Sequence, residues 1–167
     1  MGLDVKNIKT NMDKFWKEIS DEENEKKGIV FGKNGLDFNG VKYARHILEH
    51  FTLAITPSQR IYIYENGVWR LLGDLELSRM LMEFFHKDLK DSWTTYLEKT
   101  YLEPLKRMAA DVKEMDAQKK YINVLNGMLD IEKFVLYPHR PDYYSTIQIP
   151  LKYDPNAKAL KFVKFLD

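Results

Sequence analysis

The strongest constraint on the fold of this chain is a two-residue turn, Asn66-Gly67, between two apolar-rich runs. The runs cover residues 60–65 and 68–72. Asn-Gly readily supplies the two consecutive positive φ angles of a type I′ turn, so the sequence predicts a β-hairpin. Side chains that pair across such a turn share a face. One face of the hairpin should therefore carry Tyr62, Tyr64, Trp69 and Leu71. These side chains could stack unpaired bases, but burial in the core is the favoured interpretation.

Hydrophobic periodicity predicts the remaining elements. Apolar residues at three- and four-residue spacing indicate helices. Four are expected, over residues 4–20, 41–51 and 75 to about 89, and from residue 92 or 93 to about 116. Asp74 precedes the third helix and is expected to cap it through its side chain. Beyond residue 120 the period becomes two, which predicts short strands at 121–125, 128–131, 134–137 and 145–151. The expected fold class is α+β, with helices flanked by small antiparallel β-hairpin units.

The N-terminal part is expected to stand apart from the rest. A charge cluster at residues 21–27 should end the first helix, and glycines punctuate residues 28–40. Such a stretch is typical of a loop or an irregular strand pair. We therefore predict two regions, an N-terminal helix and linker over residues 1–36 and an α+β domain over residues 37–167.

Three residues match the H-x-x-E-H pattern of one class of zinc metallopeptidase: His46, Glu49 and His50. On a helix the two imidazoles lie one turn apart and could share a zinc ion, with Glu49 beside them as general base. A catalytic zinc site needs a third protein ligand, and no later residue supplies one in a recognisable context. The alternative is a partly exposed helix face with two ordinary histidines. We assign no metal site from the sequence, and these residues stay a weak candidate.

Basic residues recur along the last predicted helix. Residues 99, 106, 113 and 120 are all lysines, and a seven-residue spacing drifts by only about 20° per step on a helix. Such a stripe could follow a phosphate backbone. The candidate nucleic-acid-binding residues are Lys99, Lys106, Arg107, Lys113, Lys119 and Lys120, with Arg60 and Arg70 at the rim of the hairpin. The net charge of the chain is only +1, so any DNA contact must come from a local patch. The alternative is a solvated helix face, because acidic residues lie close by.

Several kinds of chemistry lack support in the sequence. There is no cysteine, which excludes disulfides, thiolate metal sites and cysteine nucleophiles. Neither a phosphate-binding G-x-x-x-x-G-K-[ST] loop nor a carboxylate pair for two-metal catalysis is evident. No residue is therefore assigned a catalytic role. No apolar run approaches the roughly 18–20 residues that span a bilayer, so we expect a cytoplasmic protein without a membrane partner.

Two blocks of sequence carry a resemblance to a known family. The first is the hairpin, with its Tyr-x-Tyr-x-Asn-Gly-x-Trp pattern over residues 62–69. The second runs through N-G-M-L-D at 126–130, H-R-P-D-Y-Y-S-T at 139–146, I-P-L-K-Y-D-P-N-A at 149–157 and F-V-K-F-L at 162–166. In that order and spacing, the chain from about residue 38 resembles the segment just ahead of the ATPase module in phage and plasmid primase–helicases. These are superfamily 3 helicases, related to the poxvirus replicative primase–helicase. Where relatives show Cys-Pro, this chain has Ala159-Leu160.

The resemblance implies that residues 37–167 form a helicase-associated domain of a DNA primase–helicase, ahead of an AAA+ helicase module that is missing here. Such a domain would serve DNA replication by contacting single- or double-stranded DNA, or by forming the collar of a hexameric ring. It implies no catalysis and no cofactor in this chain. ATP and magnesium are expected only for the missing module.

Two other functions stay open from the residues alone. One is a stand-alone protein-interaction module, whose binding surface would combine Tyr143 and Tyr144 with the hairpin aromatics. The other is the zinc metallopeptidase that the H-x-x-E-H pattern suggests.

Overall fold

A computed structural model describes residues 17–18, 20–33 and 35–157. Most of the predicted helix over residues 4–20 lies outside these ranges. The chain divides into two units. Unit 1 takes the chain up to Leu53 together with Gly73–Ala110, and unit 2 takes Ala54–Leu72 together with the chain from Asp111 onward. The described residues form helices and small antiparallel sheets, which confirms the predicted α+β class.

Unit 1 begins with α1, which is helical at residues 17–18 and 20–27. The charge cluster at 21–27 thus continues the helix, and the prediction that it ends the helix was wrong. Glutamate and lysine are good helix formers, so a run of charges does not by itself stop a helix. A turn follows, in which the Gly28 N–H donates to the Glu25 carbonyl at 3.0 Å. Strands β1 (Ile29–Gly32) and β2 (Gly35–Phe38) then pair antiparallel.

The helix predicted over 41–51 is confirmed as α2, Gly40–His50. The Asn39 side chain caps it by accepting from the N–H groups of Val41 and Lys42, each at 3.1 Å. The next helix, α3, covers Asp74–Asp88. Its N-cap is Gly73, whose backbone is extended, and no side-chain hydrogen bond caps it. The predicted capping role of Asp74 was therefore wrong, because this residue already lies in the first helical turn.

Helix α4 covers Thr95–Met108 and is capped by the Thr94 hydroxyl, which accepts from the Leu97 N–H at 3.2 Å. The prediction that this helix continues to residue 116 was wrong. The chain leaves the helix at Ala109, and the Val112 N–H donates to the Ile55 carbonyl at 2.9 Å. The apolar spacing of the sequence favours a longer helix there, but pairing with the strand that contains Ile55 determines the structure. Apolar spacing alone is a weak guide to where a helix ends.

The core of unit 1 is aromatic, built where α2, α3 and α4 contribute rings. Tyr43, Phe85 and Tyr101 are almost fully buried. The Tyr43 and Tyr101 ring centroids are 5.3 Å apart, and Phe85 stacks on Tyr101 at 6.0 Å. Such ring pairs add about 0.5–1.5 kcal/mol beyond the area they bury. None of the described helices is long and apolar enough to cross a bilayer.

Unit 2 contains most of a four-stranded sheet in the order β5-β4-β3-β6. Its strands are β3 (Leu53–Ile55), β4 (Ile61–Glu65), β5 (Val68–Leu72) and β6 (Ala110–Asp111). The predicted hairpin is confirmed: Tyr62 pairs with Leu71 and Tyr64 with Trp69. Asn66 and Gly67 both have positive φ, 51° and 84°, as the turn requires.

A second sheet of unit 2 consists of β7 (Tyr121–Val124), β8 (Gly127–Asp130) and β9 (Val135–Tyr137), all antiparallel. Three of the four strands predicted beyond residue 120 are thus confirmed. The fourth, over 145–151, is reduced to one parallel bridge between Val124 and Ile149. A 3₁₀ turn, Pro141–Tyr143, precedes that segment.

Candidate functional site

The histidine pattern on α2 gathers into one cluster in unit 1. His46, Glu49 and His50 stand three and four residues apart and therefore share a helix face. Each offers one possible ligand atom, and these atoms all lie within 4.8 Å of one another. Glu49 and His50 are exposed, whereas the His46 side chain is only 11% exposed. We call these three residues the α2 cluster.

Asp88, at the end of α3, adds a carboxylate that is only 10% exposed and lies next to the α2 cluster. One of its oxygens lies 3.3 Å from Nε2 of His46, and the same oxygen accepts from the Tyr43 hydroxyl at 3.1 Å. Its other oxygen pairs with the Lys27 ammonium at 2.7 Å. The sequence analysis did not single out Asp88, because only the packing of α3 against α2 brings it to His46.

The surroundings favour the neutral form of His46. Burial lowers its pKa below 6.5, and the nearby Lys27 and His50 act in the same direction, while Asp88 opposes them. Burial, and then the negative charge of Asp88, raises the pKa of the Tyr43 hydroxyl. At neutral pH the site therefore presents an uncharged imidazole, the form in which histidine binds metals.

The α2 cluster forms one wall of a surface depression of about 770 Å³. The remaining lining residues are mostly basic: Lys26, Lys27, Lys42 and Arg45, with Glu23. Cationic side chains therefore outnumber the carboxylates of Glu23 and Glu49. Chemically, the imidazole and carboxylate wall can coordinate a cation, and the basic rim can attract an anion.

The basic residues predicted to form one helical stripe are divided by the end of α4. Lys99, Lys106 and Arg107 lie on α4, and only Lys106 among them is partly covered. Its ammonium is 4.0 Å from the Glu103 carboxylate. Lys113, Lys119 and Lys120 lie beyond the helix and are exposed. The single stripe was therefore a wrong prediction, because its helix stops at Met108. Nucleic-acid binding by these residues stays a prediction.

The two arginines at the hairpin are exposed, as expected for a rim. The Arg70 guanidinium lies 3.3 Å from the Glu65 carboxylate, which offsets part of its charge. Lys120 places its ammonium 4.9 Å from the centre of the Tyr121 ring. A cation–π contact orients the ammonium group without neutralising its charge, so Lys120 can still bind a phosphate.

Among the hairpin aromatics Trp69 is a core residue, and Tyr62 and Tyr64 pack half-buried against its cluster. Trp69 is 2% exposed and belongs to a buried cluster with Ala54 and Val112. Its indole N–H donates to the Pro141 carbonyl at 2.8 Å, and its ring stacks on Tyr144 at 5.7 Å. The burial expected for this face is thus found at Trp69. The same contacts tie the hairpin to the 139–146 segment.

A polar network fixes the tip of the same hairpin, and sequence reasoning missed it. Asn123 is 3% exposed and donates to the Gly67 carbonyl at 2.8 Å. Its side-chain oxygen lies 3.0 Å from Nε2 of His139 and accepts from Gln148 at 3.1 Å. The His139 ring lies so close to Gly67 that a Cβ there would be 2.6 Å from it. These groups build the fold of unit 2, and a period-two pattern gives no signal for such contacts.

Comparison with known proteins gives one result that covers most of the chain. A family model described as D5 N terminal like matches residues 25–167. The match includes the α2 cluster, α4, the hairpin and the whole second sheet. No curated protein matches significantly.

Proposed function

The chain belongs to the D5 N terminal like family, the N-terminal region of phage- and poxvirus-type primase–helicases, and we propose that it serves DNA replication by contacting DNA. The family match over residues 25–167 is the observation that carries this proposal. The family region is non-catalytic, so the domain acts by binding rather than by turnover. ATP and magnesium belong to the helicase module that accompanies such regions.

The charges on α4 support a contact with phosphates in unit 1. Lys99 and Lys106 are seven residues apart, so they point in nearly the same direction from the helix, with Arg107 alongside. Glu103 lies on the same side and pairs with Lys106. Lys99 and Arg107 are therefore the residues of α4 best placed to neutralise phosphates.

In unit 2 the support comes from three exposed lysines around the start of the second sheet. Lys119 and Lys120 directly precede β7, and Lys113 follows β6. Each is on the surface, where a lysine can exchange its counterion for a phosphate at little conformational cost. A modest number of contacts predicts weak binding with a shallow salt dependence.

The test is fluorescence anisotropy with a labelled single strand and a labelled duplex at two salt concentrations. We expect saturable binding at low salt that weakens as salt rises. The double variant Lys99→Glu/Arg107→Glu and the triple variant Lys113→Glu/Lys119→Glu/Lys120→Glu should weaken binding. Each phosphate contact removed should reduce the slope of log K against log salt by about one.

The matched control is Lys87→Glu/Lys90→Glu, which changes the charge of unit 1 as much as the α4 variant does. Both lysines are exposed, Lys87 in the last turn of α3 and Lys90 just after the helix, and neither is among the residues proposed to bind. Equal loss of binding in this control and in the α4 variant would show general electrostatic attraction only. Absence of binding by the unaltered chain at low salt would refute DNA contact.

A second candidate, assembly of a subunit ring, is favoured by the β1–β2 hairpin. Phe31 is 64% exposed, and it pairs across the hairpin with Leu36, which is also exposed. Val30 on the opposite face is 43% exposed. The adjacent exposed pair Phe31 and Leu36 can contribute to a protein contact. Light scattering should then show a concentration-dependent oligomer that Phe31→Ser disrupts, and a monomer at every concentration would exclude this contact.

A further inference from the structure

We propose that the α2 cluster is a binding site for one divalent transition-metal ion, with zinc as the representative metal. The ligands are Nδ1 of His46, a carboxylate oxygen of Glu49 and Nε2 of His50. Asp88 is a positioning residue, because its carboxylate lies next to Nε2 of His46 and helps to fix the orientation of that imidazole. This proposal does not depend on the proposed DNA contact, so the two can be tested separately.

The separations between the ligand atoms fit a first coordination shell. Zinc binds histidine nitrogen and glutamate oxygen at about 2.0–2.2 Å, so ligands around one ion lie roughly 3–3.5 Å apart. Nδ1 of His46 is already 3.6 Å from a carboxylate oxygen of Glu49. Each of the three residues also has a possible ligand atom within 4.8 Å of one on each of the other two. Glu49 and His50 are exposed, so rotation of their side chains can bring the ligand atoms into one coordination shell.

Both imidazoles have a partner for the nitrogen that faces away from the metal. Nδ1 of His50 lies 2.9 Å from the His46 carbonyl, so it carries the proton and leaves Nε2 free to bind. Nε2 of His46 lies 3.3 Å from an oxygen of Asp88, so Nδ1, which lies 3.6 Å from Glu49, is the nitrogen on the side of the cluster. Metal-binding histidines usually donate their second N–H to a carboxylate or a carbonyl, and here one of each is in place.

The set of ligands determines the class of metal. Imidazole suits zinc, cobalt, nickel and copper, whereas magnesium and calcium prefer oxygen ligands throughout. Lys27 pairs with Asp88 at 2.7 Å, and its charge opposes a nearby cation. We therefore expect micromolar rather than nanomolar affinity. Three protein ligands leave a fourth position for water or another small ligand.

The test is a titration of the full chain with cobalt(II) alone, followed by displacement with zinc(II). We expect one ion per chain and the intense visible absorption of a four-coordinate cobalt centre, lost when zinc is added. His50→Ala and Glu49→Gln should each abolish saturable binding. Asp88→Asn should weaken it about 10–100-fold, as loss of an outer partner usually does.

The controls separate a defect in the site from a defect in folding. His86→Ala removes a histidine of α3 outside the cluster and should bind cobalt like the unaltered chain. His50 and Glu49 are exposed, so their variants should keep the thermal unfolding curve of the apo protein. Lack of saturable binding by the unaltered chain, or undiminished binding by His50→Ala, would overturn the proposal.

Discussion

Gly40 lies so close to the main chain at Thr100 that a Cβ added to it would be 2.1 Å from the Thr100 carbonyl oxygen. The Thr100 carbonyl also lacks the hydrogen bond that a carbonyl inside a helix normally accepts. Pro104, four residues later, has no N–H to donate to it. One missing helical hydrogen bond and one missing side chain thus coincide where α2 meets α4.

This close approach predicts that Gly40→Ala is strongly destabilising. The new methyl group would overlap backbone atoms, which cannot move aside as a flexible side chain can. We expect a loss of about 3 kcal/mol in the free energy of unfolding, measured by urea denaturation. Gly73→Ala is the control, since nothing lies within 4 Å of a Cβ there, and it should cost less than about 1 kcal/mol. Equal effects would contradict the packing described.

The caps of α2 and α3 predict losses of different size for two superficially similar substitutions. Asn39→Ala removes an oxygen that accepts from two backbone N–H groups and should cost about 1 kcal/mol. Asp74→Ala removes only a charge in the first turn of α3 and should cost about 0.3–0.5 kcal/mol. Chemical denaturation of both variants measures the difference. A larger loss for Asp74→Ala would restore the capping role that the sequence suggested.

Two buried tyrosines of the unit 1 core should respond oppositely to loss of the hydroxyl. The Tyr43 hydroxyl donates to Asp88, so Tyr43→Phe should cost about 1.5–3 kcal/mol. The Tyr101 hydroxyl interacts with the Trp93 indole N–H, but neither group makes a hydrogen bond of normal geometry among the described residues. Tyr101→Phe should therefore be neutral or stabilising by up to about 1 kcal/mol. Thermal and urea unfolding at pH 7 would reveal both effects.

The raised pKa of the Tyr101 hydroxyl predicts a loss of stability at alkaline pH. Burial raises the pKa of Tyr101 to about 12, against an ordinary value near 10 in the unfolded chain. The unfolded state therefore loses its proton first. The stabilisation is complete below about pH 10 and disappears as the pH approaches about 12. Melting temperatures between pH 8 and 11 should fall less steeply for Tyr101→Phe. Tyr96→Phe, at a 75% exposed position, should leave the slope unchanged.

The indole of Trp69 predicts a stability effect in unit 2. Trp69→Phe keeps an aromatic ring but removes the hydrogen bond to the Pro141 carbonyl and leaves a small cavity. We expect a cost of about 2–3 kcal/mol, because that carbonyl loses its partner. Leu71→Ala, on the same face but 48% exposed, should cost under about 1 kcal/mol. Equal losses would mean that the face is anchored elsewhere.

Elements with a strong local signal were predictable from the sequence. The Asn66-Gly67 turn determines its own backbone angles, and the apolar spacing of α2 and α3 is regular over several turns. The end of α4 was not predictable. The chain leaves the helix there so that Val112 can pair with Ile55, which is far away in sequence. Strands β3 and β6 were missed because they are only three and two residues long, which is too short for a hydrophobic pattern to show.

The candidate site was predictable only in part. His46, Glu49 and His50 lie within five consecutive positions, so a sequence motif can find them. Asp88 and Lys27 come from other helices, and nothing in a local pattern links them to His46. The basic residues are visible in the sequence, but their arrangement depends on where a helix stops.

The wide separation between Trp69 and Pro141 along the chain also matters during synthesis. The two residues stand 72 positions apart. A ribosome adding about 5–20 residues per second needs roughly 4–14 s to cover that interval. During this time the hairpin lacks both the carbonyl that its indole N–H bonds and the Tyr144 ring that stacks on it. The tryptophan face therefore reaches its final packing only after the C-terminal half of the chain has been synthesised.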